Sequence, residues 1–161
     1  MILIDGYNLL YACEGLRPKS ARKFARDEQR EFLRILSDYA RVSGEKLLVV
    51  FDGTPPKEMH RLTHLSVKYS GAKSSADEVI KRLIRLSHAA RDLTVVSSDR
   101  EIRDDSRRLG ARSEKALAFW EKVKTVLAEQ ESRSEQLPPE KLHGISPGEA
   151  EKWKEIFGVE D

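Results

Sequence analysis

The 161 residues are 39% hydrophobic and 35% charged with a net charge of +2, the balance of a soluble globular chain long enough to bury a substantial core in one domain. No apolar stretch approaches 18 residues and no basic-then-apolar leader precedes the first strand, so neither a membrane span nor a signal peptide is expected. Cys13 is the single cysteine, which excludes an internal disulfide and a thiolate metal cluster and suits a reducing cytoplasm.

Met1 to Ile4, apolar and β-branched with no N-cap before it, predicts a buried strand of a parallel sheet with Asp5 at its carboxyl end. Ligands of open α/β sheets bind at that end, and Gly6 is expected to turn the chain sharply so that Asp5 and Asn8 point into one crevice. Capping of the next turn accounts for the same two residues equally well. Residues 14 to 19 read as a loop, and Arg17, Lys19, Arg22 and Lys23 place positive charge near the strand end that carries Asp5. Ser20 caps a helix predicted over about 21 to 42, with Gly44 as its stop.

Residues 46 to 51 (KLLVVF) predict a second buried strand that ends in Asp52-Gly53, and Thr54-Pro55-Pro56 cannot continue it. His60 and His64 stand four apart beside Lys57 and Arg61; without an HExxH pattern they read as a basic RNA-facing or plain surface segment rather than a zinc pair. A short strand over 65 to 69 and a flexible stretch over 70 to 73 lead to Ser75-Ala76-Asp77-Glu78, a capping box that opens a helix with Val79, Ile80, Leu83 and Ile84 inward. Capping explains Glu78. Asp77 is left free to face the rim of the sheet, although a place in the first turn of a helix accounts for a carboxylate too.

The strand predicted over 93 to 97 ends in Ser98-Asp99, followed by a helix over 100 to 109, the stop Gly110 and a short edge strand over 111 to 113. A long helix from Ser113 or Glu114 to about 134 is predicted to pack through Leu117, Trp120, Val123 and Leu127. Residues 135 to 145, with Pro138-Pro139, form a linker to a last helix opened by Ser146-Pro147 and carrying Trp153, Ile156 and Phe157. Trp120 and Trp153 lie on apolar helical stripes and read as packing anchors. The organisation expected is one domain over 1–134, with 135–161 as a linker and C-terminal helix packed on it.

Charge is uneven: residues 57–115 hold 14 Lys/Arg against 9 Asp/Glu, whereas 116–161 hold 6 against 10. If several of the middle acids gather at one site, the remaining surface suits a polyanion, although solvated helix faces explain the same count. Asp5, Asp52 and Asp99 at strand ends, with Asp77 at a helix start, are expected to converge on one rim. Clustered carboxylates repel and need a cation, and oxygen-only donors select Mg2+ or Mn2+, hard ions that keep waters and bind phosphate oxygens. A basic rim around such a site is the arrangement of a nuclease. Glu101, Asp104 and Asp105 could each add a further ligand, although a solvated helix face is the preferred reading for them.

The ordered set LIDGYNLL, VVFDG, SSADEVI and VVSSDREI, followed by Gly110-Ala111, resembles the YacP-like branch of the NYN domains, PIN-like metal-dependent nucleases, over residues 1 to about 120. The resemblance implies a three-layer α/β/α fold with a central, mostly parallel sheet plus C-terminal helices. It also implies dependence on Mg2+ or Mn2+ and endoribonuclease activity, in bacterial members on translated mRNA at the ribosome. The family's acidic positions fall on Asp5, Asp52, Asp77 and Asp99, with Asp5, Asp77 and Asp99 as catalytic residues, and its amide position falls on Asn8. Asn8, Arg17, Lys19, Arg22 and Lys23 are expected to position RNA, in a cytoplasmic monomer or weak homodimer. A non-catalytic RNA- or ribosome-binding module of the same fold is the competing reading, and losing one or two acids would have favoured it. Haloacid-dehalogenase-type phosphatases also place Asp after the first strand but need a second Asp at position 7, which is Tyr; receiver domains need an acidic pair where Ile4 precedes Asp5.

Overall fold

Ile2, Leu3 and Ile4 point alternately to two faces of a sheet, and both faces are buried. The computed structural model describes residues 1–13, 26–57 and 62–135. The elements in chain order are β1 (Ile2–Asp5), α1 (Gly6–Ala12), α2 (Arg26–Ser43), β2 (Leu47–Phe51), β3 (Leu65–Tyr69), α3 (Ala76–Leu86), a 3-10 turn (Ala90–Asp92), β4 (Thr94–Val96), α4 (Arg100–Arg108), β5 (Arg112–Glu114) and α5 (Ala116–Glu135). The chain divides into two units, Met1–Leu127 and Ala128–Asp161, and the second is described only over the end of α5. The predicted linker and last helix over 135–161, with Trp153, therefore lie outside the described residues apart from Glu135, as do Ser20 and the predicted start of the helix at 21.

Among the described residues five strands form one sheet in the order β3-β2-β1-β4-β5, every pairing parallel. The three central strands β2, β1 and β4 are apolar and largely buried on both sides, as a parallel sheet requires, whereas the edge strands β3 and β5 are partly exposed. On one face Ile2, Ile4, Val49, Phe51 and Val96 pack against Leu9 of α1, Phe32, Leu36 and Tyr39 of α2, and Ala116, Phe119, Trp120 and Val123 of α5. On the other, Leu3, Val50 and Val95 meet Val79, Ile80 and Ile84 of α3 and Ile102 of α4. The result is the expected three-layer α/β/α arrangement. Parallel strands bring all their carboxyl ends to one edge, and the strand order reverses between β1 and β4, the place where such sheets bind ligands.

Four details differ from the sequence reading. Asp5 is the last residue of β1, in register with Val50, rather than the residue after the strand. The chain then enters a seven-residue helix, α1, that the sequence reading did not anticipate. Gly6 makes no left-handed turn; its role is close packing, because a Cβ there would lie 2.5 Å from the ring of Phe51. In α5 Trp120, Val123 and Leu127 pack on the core as expected, but Leu117 is 54% exposed and Phe119 is buried in its place.

Segments 53 and 70–73 are also tied more closely than expected. Gly53 and Gly71 bridge antiparallel to each other with the Gly71 N–H on the Gly53 carbonyl at 2.8 Å, both in the left-handed backbone region that other residues resist. The Ser75–Glu78 capping box forms as predicted: the Ser75 hydroxyl accepts from the Glu78 N–H at 3.2 Å, and Glu78 Oε2 accepts from the Ser75 N–H at 3.2 Å. Ser75→Ala should destabilise the fold by about 1 kcal/mol, seen as a drop of about 3 °C in melting temperature for a chain of this size. A melt identical to wild type would mean that the box adds nothing beyond water.

Candidate functional site

The carboxyl edge of the sheet also receives helix N-termini, so each strand-end acid meets backbone donors. Asp5 is 5% exposed and is the N-cap of α1. Asn8 donates to it twice, weakly from its backbone N–H to Oδ1 at 3.5 Å and firmly from Nδ2 to Oδ2 at 2.8 Å. Ser97, fully buried just past β4, donates to Oδ2 at 3.4 Å. Burial pushes the Asp5 carboxyl above the ordinary carboxylate range; the negative charge of Asp52 adds to that, while the hydrogen bonds from Asn8 and Ser97 oppose it. Tyr7 responds in the same way, its hydroxyl pushed up first by burial and then by Asp52.

Asp52 is exposed, and its Oδ1 accepts from the Ala76 N–H at 2.7 Å, in the first turn of α3. Asp99 is the exposed N-cap of α4, its Oδ1 accepting from the Glu101 N–H at 2.8 Å. The Ser97 hydroxyl accepts from the Asp99 N–H at 3.1 Å and so links Asp99 to Asp5 across the reversal of strand order. Backbone donors at the starts of α1, α3 and α4 thus hold these three carboxylates where the chain leaves the carboxyl edge of the sheet.

Asp77 departs from the expectation of a free carboxylate. Its Oδ2 binds the Lys81 ammonium at 2.8 Å, one helical turn on, and Lys81 also binds Asp105 Oδ2 at 2.6 Å. Asp105 is therefore tied to Asp77 through Lys81 rather than left to solvent alone, whereas Glu101 is exposed and Asp104 pairs with Arg100 and Arg107. The two acids hold the Lys81 ammonium above its usual range, and Lys81 in turn holds Asp105 below that of a free carboxyl. Among the described residues Asp77 Oδ1 is buried with no hydrogen-bond partner.

Asp5, Asp52, Asp77, Asp99 and Asn8 thus share one edge, with Asp77 joined through the Ala76 N–H that holds Asp52. Among the described residues no three His, Cys, Asp or Glu side chains stand close enough together to grip one ion directly. The donor set still fits a hard cation, because it is all oxygen and because Asp77 Oδ1, an acceptor buried without a donor, is what a cation or its water would satisfy. Arg17, Lys19, Arg22, Lys23 and His60 lie outside the described residues; His64 is exposed. Two clefts of about 300 and 340 Å³ open at the opposite, amino edge of the sheet, lined by Met1, Lys46 and His64 and by Ile2, Glu45 and Arg112, away from these acids.

The sequence reading missed Ser97 and Lys81 as members of this edge. Ser97 carried a signal, a serine at a strand end two residues before a capping aspartate; Lys81 carried another, its place four residues after Asp77 on one helix.

A family model described as YacP-like NYN domain matches residues 2–158. The crystal structure of Rae1 (YacP) from Bacillus subtilis superposes with a TM-score of 0.76 at 23% identity, covering 98% of this chain and 90% of that one. A tryptophan-to-leucine mutant of the same Bacillus subtilis protein superposes with a TM-score of 0.69 at 26% identity, covering 82% of this chain and 79% of that one. No curated protein matches the chain.

Proposed function

The chain belongs to the YacP-like NYN domain family, and from that premise we propose that it is an endoribonuclease that hydrolyses RNA phosphodiester bonds with Mg2+ or Mn2+. The family and its structural neighbours support a nuclease-like, RNA-related function. One observation carries the finer reading: Asp5 is a buried carboxylate at the reversal point of a parallel sheet, with the charge of Asp52 beside it and Asp99 linked to it through Ser97. Burying a carboxylate next to another is costly, and a cation is what repays it.

Asp5, Asp52, Asp77 and Asp99 would hold the ion, in part through its waters, since Mg2+ keeps several and binds few carboxylates directly. When bound, such an ion polarises a phosphodiester and supplies hydroxide near neutral pH. The protein's own part is orientation. Asn8 and Ser97 fix the Asp5 carboxylate, and the α3 and α4 N-termini fix Asp52 and Asp99. Arg17, Lys19, Arg22 and Lys23 would hold the RNA backbone. The substrate proposed is mRNA, with action at the ribosome in the cytoplasm. No helix among the described residues is long and apolar enough to cross a membrane.

The test is incubation of a labelled single-stranded RNA with the protein, with Mn2+, with Mg2+ or with chelator. Internal cleavage in either metal and none in chelator is the expected result. RNA that is bound but stays intact in both metals would turn the assignment to a non-catalytic RNA- or ribosome-binding module. Neutralising two of Arg17, Lys19, Arg22 and Lys23 should also weaken RNA binding and flatten its salt dependence, by about 0.7 in the log–log slope for each lost phosphate contact on a single strand. An unchanged slope in a salt titration would remove this segment from the RNA path.

A further inference from the structure

A lysine stands where the four-acid arrangement leads one to expect metal alone. The Lys81 ammonium lies between Asp77 Oδ2 at 2.8 Å and Asp105 Oδ2 at 2.6 Å, and so ties α3 to α4. This is no loose surface pair: the Lys81, Asp77 and Asp105 side chains are 16%, 30% and 25% exposed. Asp77's other oxygen, Oδ1, is buried and lacks a partner among the described residues. We propose that Lys81 is the internal counter-ion of this site, competing with the divalent cation for Asp77, and that Asp105 is the second acceptor that keeps the ammonium when Asp77 turns to the cation. The proposal rests on the cation-dependent reading above.

The sign of the effect follows from magnitudes. An ammonium and a divalent ion sharing one carboxylate repel over a few ångströms in a partly shielded place, where charges act strongly. Fixing the rotamer of one short side chain contributes much less. Repulsion therefore outweighs positioning, and removing Lys81 raises cation affinity. Asp105 has the opposite influence. With it, the ammonium gives up one of two charged partners when the cation arrives; without it, the ammonium must give up Asp77 as its remaining partner in the triad. Arg108 also pairs with Asp105, at 3.2 Å, but is 78% exposed and cannot substitute for an acceptor.

Mn2+ binding to the full chain, measured by electron paramagnetic resonance without RNA, tests this, with thermal melts of every variant. Lys81→Met should bind Mn2+ about tenfold more tightly than wild type, and so should Lys81→Gln, which keeps hydrogen-bonding capacity if the apolar variant folds poorly. Lys81→Arg should keep wild-type affinity. Asp105→Asn should bind several-fold more weakly, and most of that loss should vanish in the Lys81→Met background, where no ammonium needs a second acceptor. Unchanged or weaker binding in both Lys81→Met and Lys81→Gln would overturn the proposal. An Asp105→Asn loss of equal size in both backgrounds would overturn it too, since Asp105 would then act on the cation itself. A wild-type chain that binds no Mn2+ would refute the cation-dependent reading and this proposal with it, whereas wild-type binding with an indifferent Lys81 refutes this proposal alone.

Discussion

Asp5→Asn is expected to lower metal-dependent RNA cleavage by at least ~100-fold while leaving the protein as stable as wild type at pH 7, or more so. The two halves have one cause. The folded-state carboxyl of Asp5 is raised above its ordinary value of 3.8, chiefly by burial. Between 3.8 and that raised value the folded protein binds more protons than the unfolded chain, so stability falls as pH rises through this window, and above it the ionised side chain is a standing cost. The amide has no charge to bury. It keeps an oxygen for the Asn8 N–H, and the Asn8 side-chain amide and the Ser97 hydroxyl can reorient to meet its NH2 group. On the proposed reading, cation binding would have no such compensation, because a neutral oxygen would replace a charged one among the proposed ligands. Cleavage assays across a Mn2+ titration, with melts from pH 4 to 8 in chelator, check both halves. Wild-type cleavage in the variant would remove Asp5 from the chemistry. A melting temperature far below wild type at pH 7 would show that its charge serves the α1 cap instead.

What could be read from the sequence was local. The apolar runs of β1, β2 and β4, each ending near an aspartate, needed only neighbouring residues to be recognised, and the Ser75–Glu78 box is a four-residue pattern that formed as expected. The misses have two sources. Glycine's backbone freedom predicts a turn at Gly6, where α1 begins; the structural reason for glycine is the Phe51 ring, which lies 45 positions along and becomes its neighbour only through the β1–β2 pairing. Trp120, Val123 and Leu127 follow the predicted stripe, but Leu117 stays exposed while Phe119 is buried, because the part of α5 that carries Phe119 meets Tyr39, whose ring centroid lies 5.6 Å from that of Phe119. The site shows the same division. Asp5, Asp52 and Asp99 were recognisable as strand-end acids. The bond from Ser97 to Asp5 spans 92 positions and depends on the parallel register of Ile4 with Val96, and the bond from Lys81 to Asp105 depends on α3 packing beside α4.

Gly6→Ala should be among the most damaging small substitutions in the chain. An ideal Cβ at this position falls 2.5 Å from both Cδ1 and Cε1 of Phe51 and 2.9 Å from its Cζ, well inside van der Waals contact. Relief requires the ring to move, and the ring is hemmed in: Phe51 is fully buried, stacked on Tyr69 at 5.6 Å between centroids, and met edge-on by Tyr7 at 5.0 Å and Phe32 at 6.3 Å. The backbone is no easier to shift, because Asp5 on one side is held in the sheet and the α1 helix begins on the other. Alanine's better helix propensity, worth at most about 1 kcal/mol over glycine, works against this loss but is smaller than the clash. Overpacking of a closed core typically costs about 1–3 kcal/mol, so a net loss near 2 kcal/mol and a fall of about 6 °C in melting temperature are expected for a chain of this size. The double variant Gly6→Ala/Phe51→Leu separates steric from backbone causes. If the ring is the obstacle, alanine at position 6 should cost much less in the Phe51→Leu background than in wild type, because leucine frees the space that the Cβ needs. An equal cost in both backgrounds would place the strain in the turn from β1 into α1, and a Gly6→Ala protein as stable as wild type would mean that Phe51 has room to withdraw.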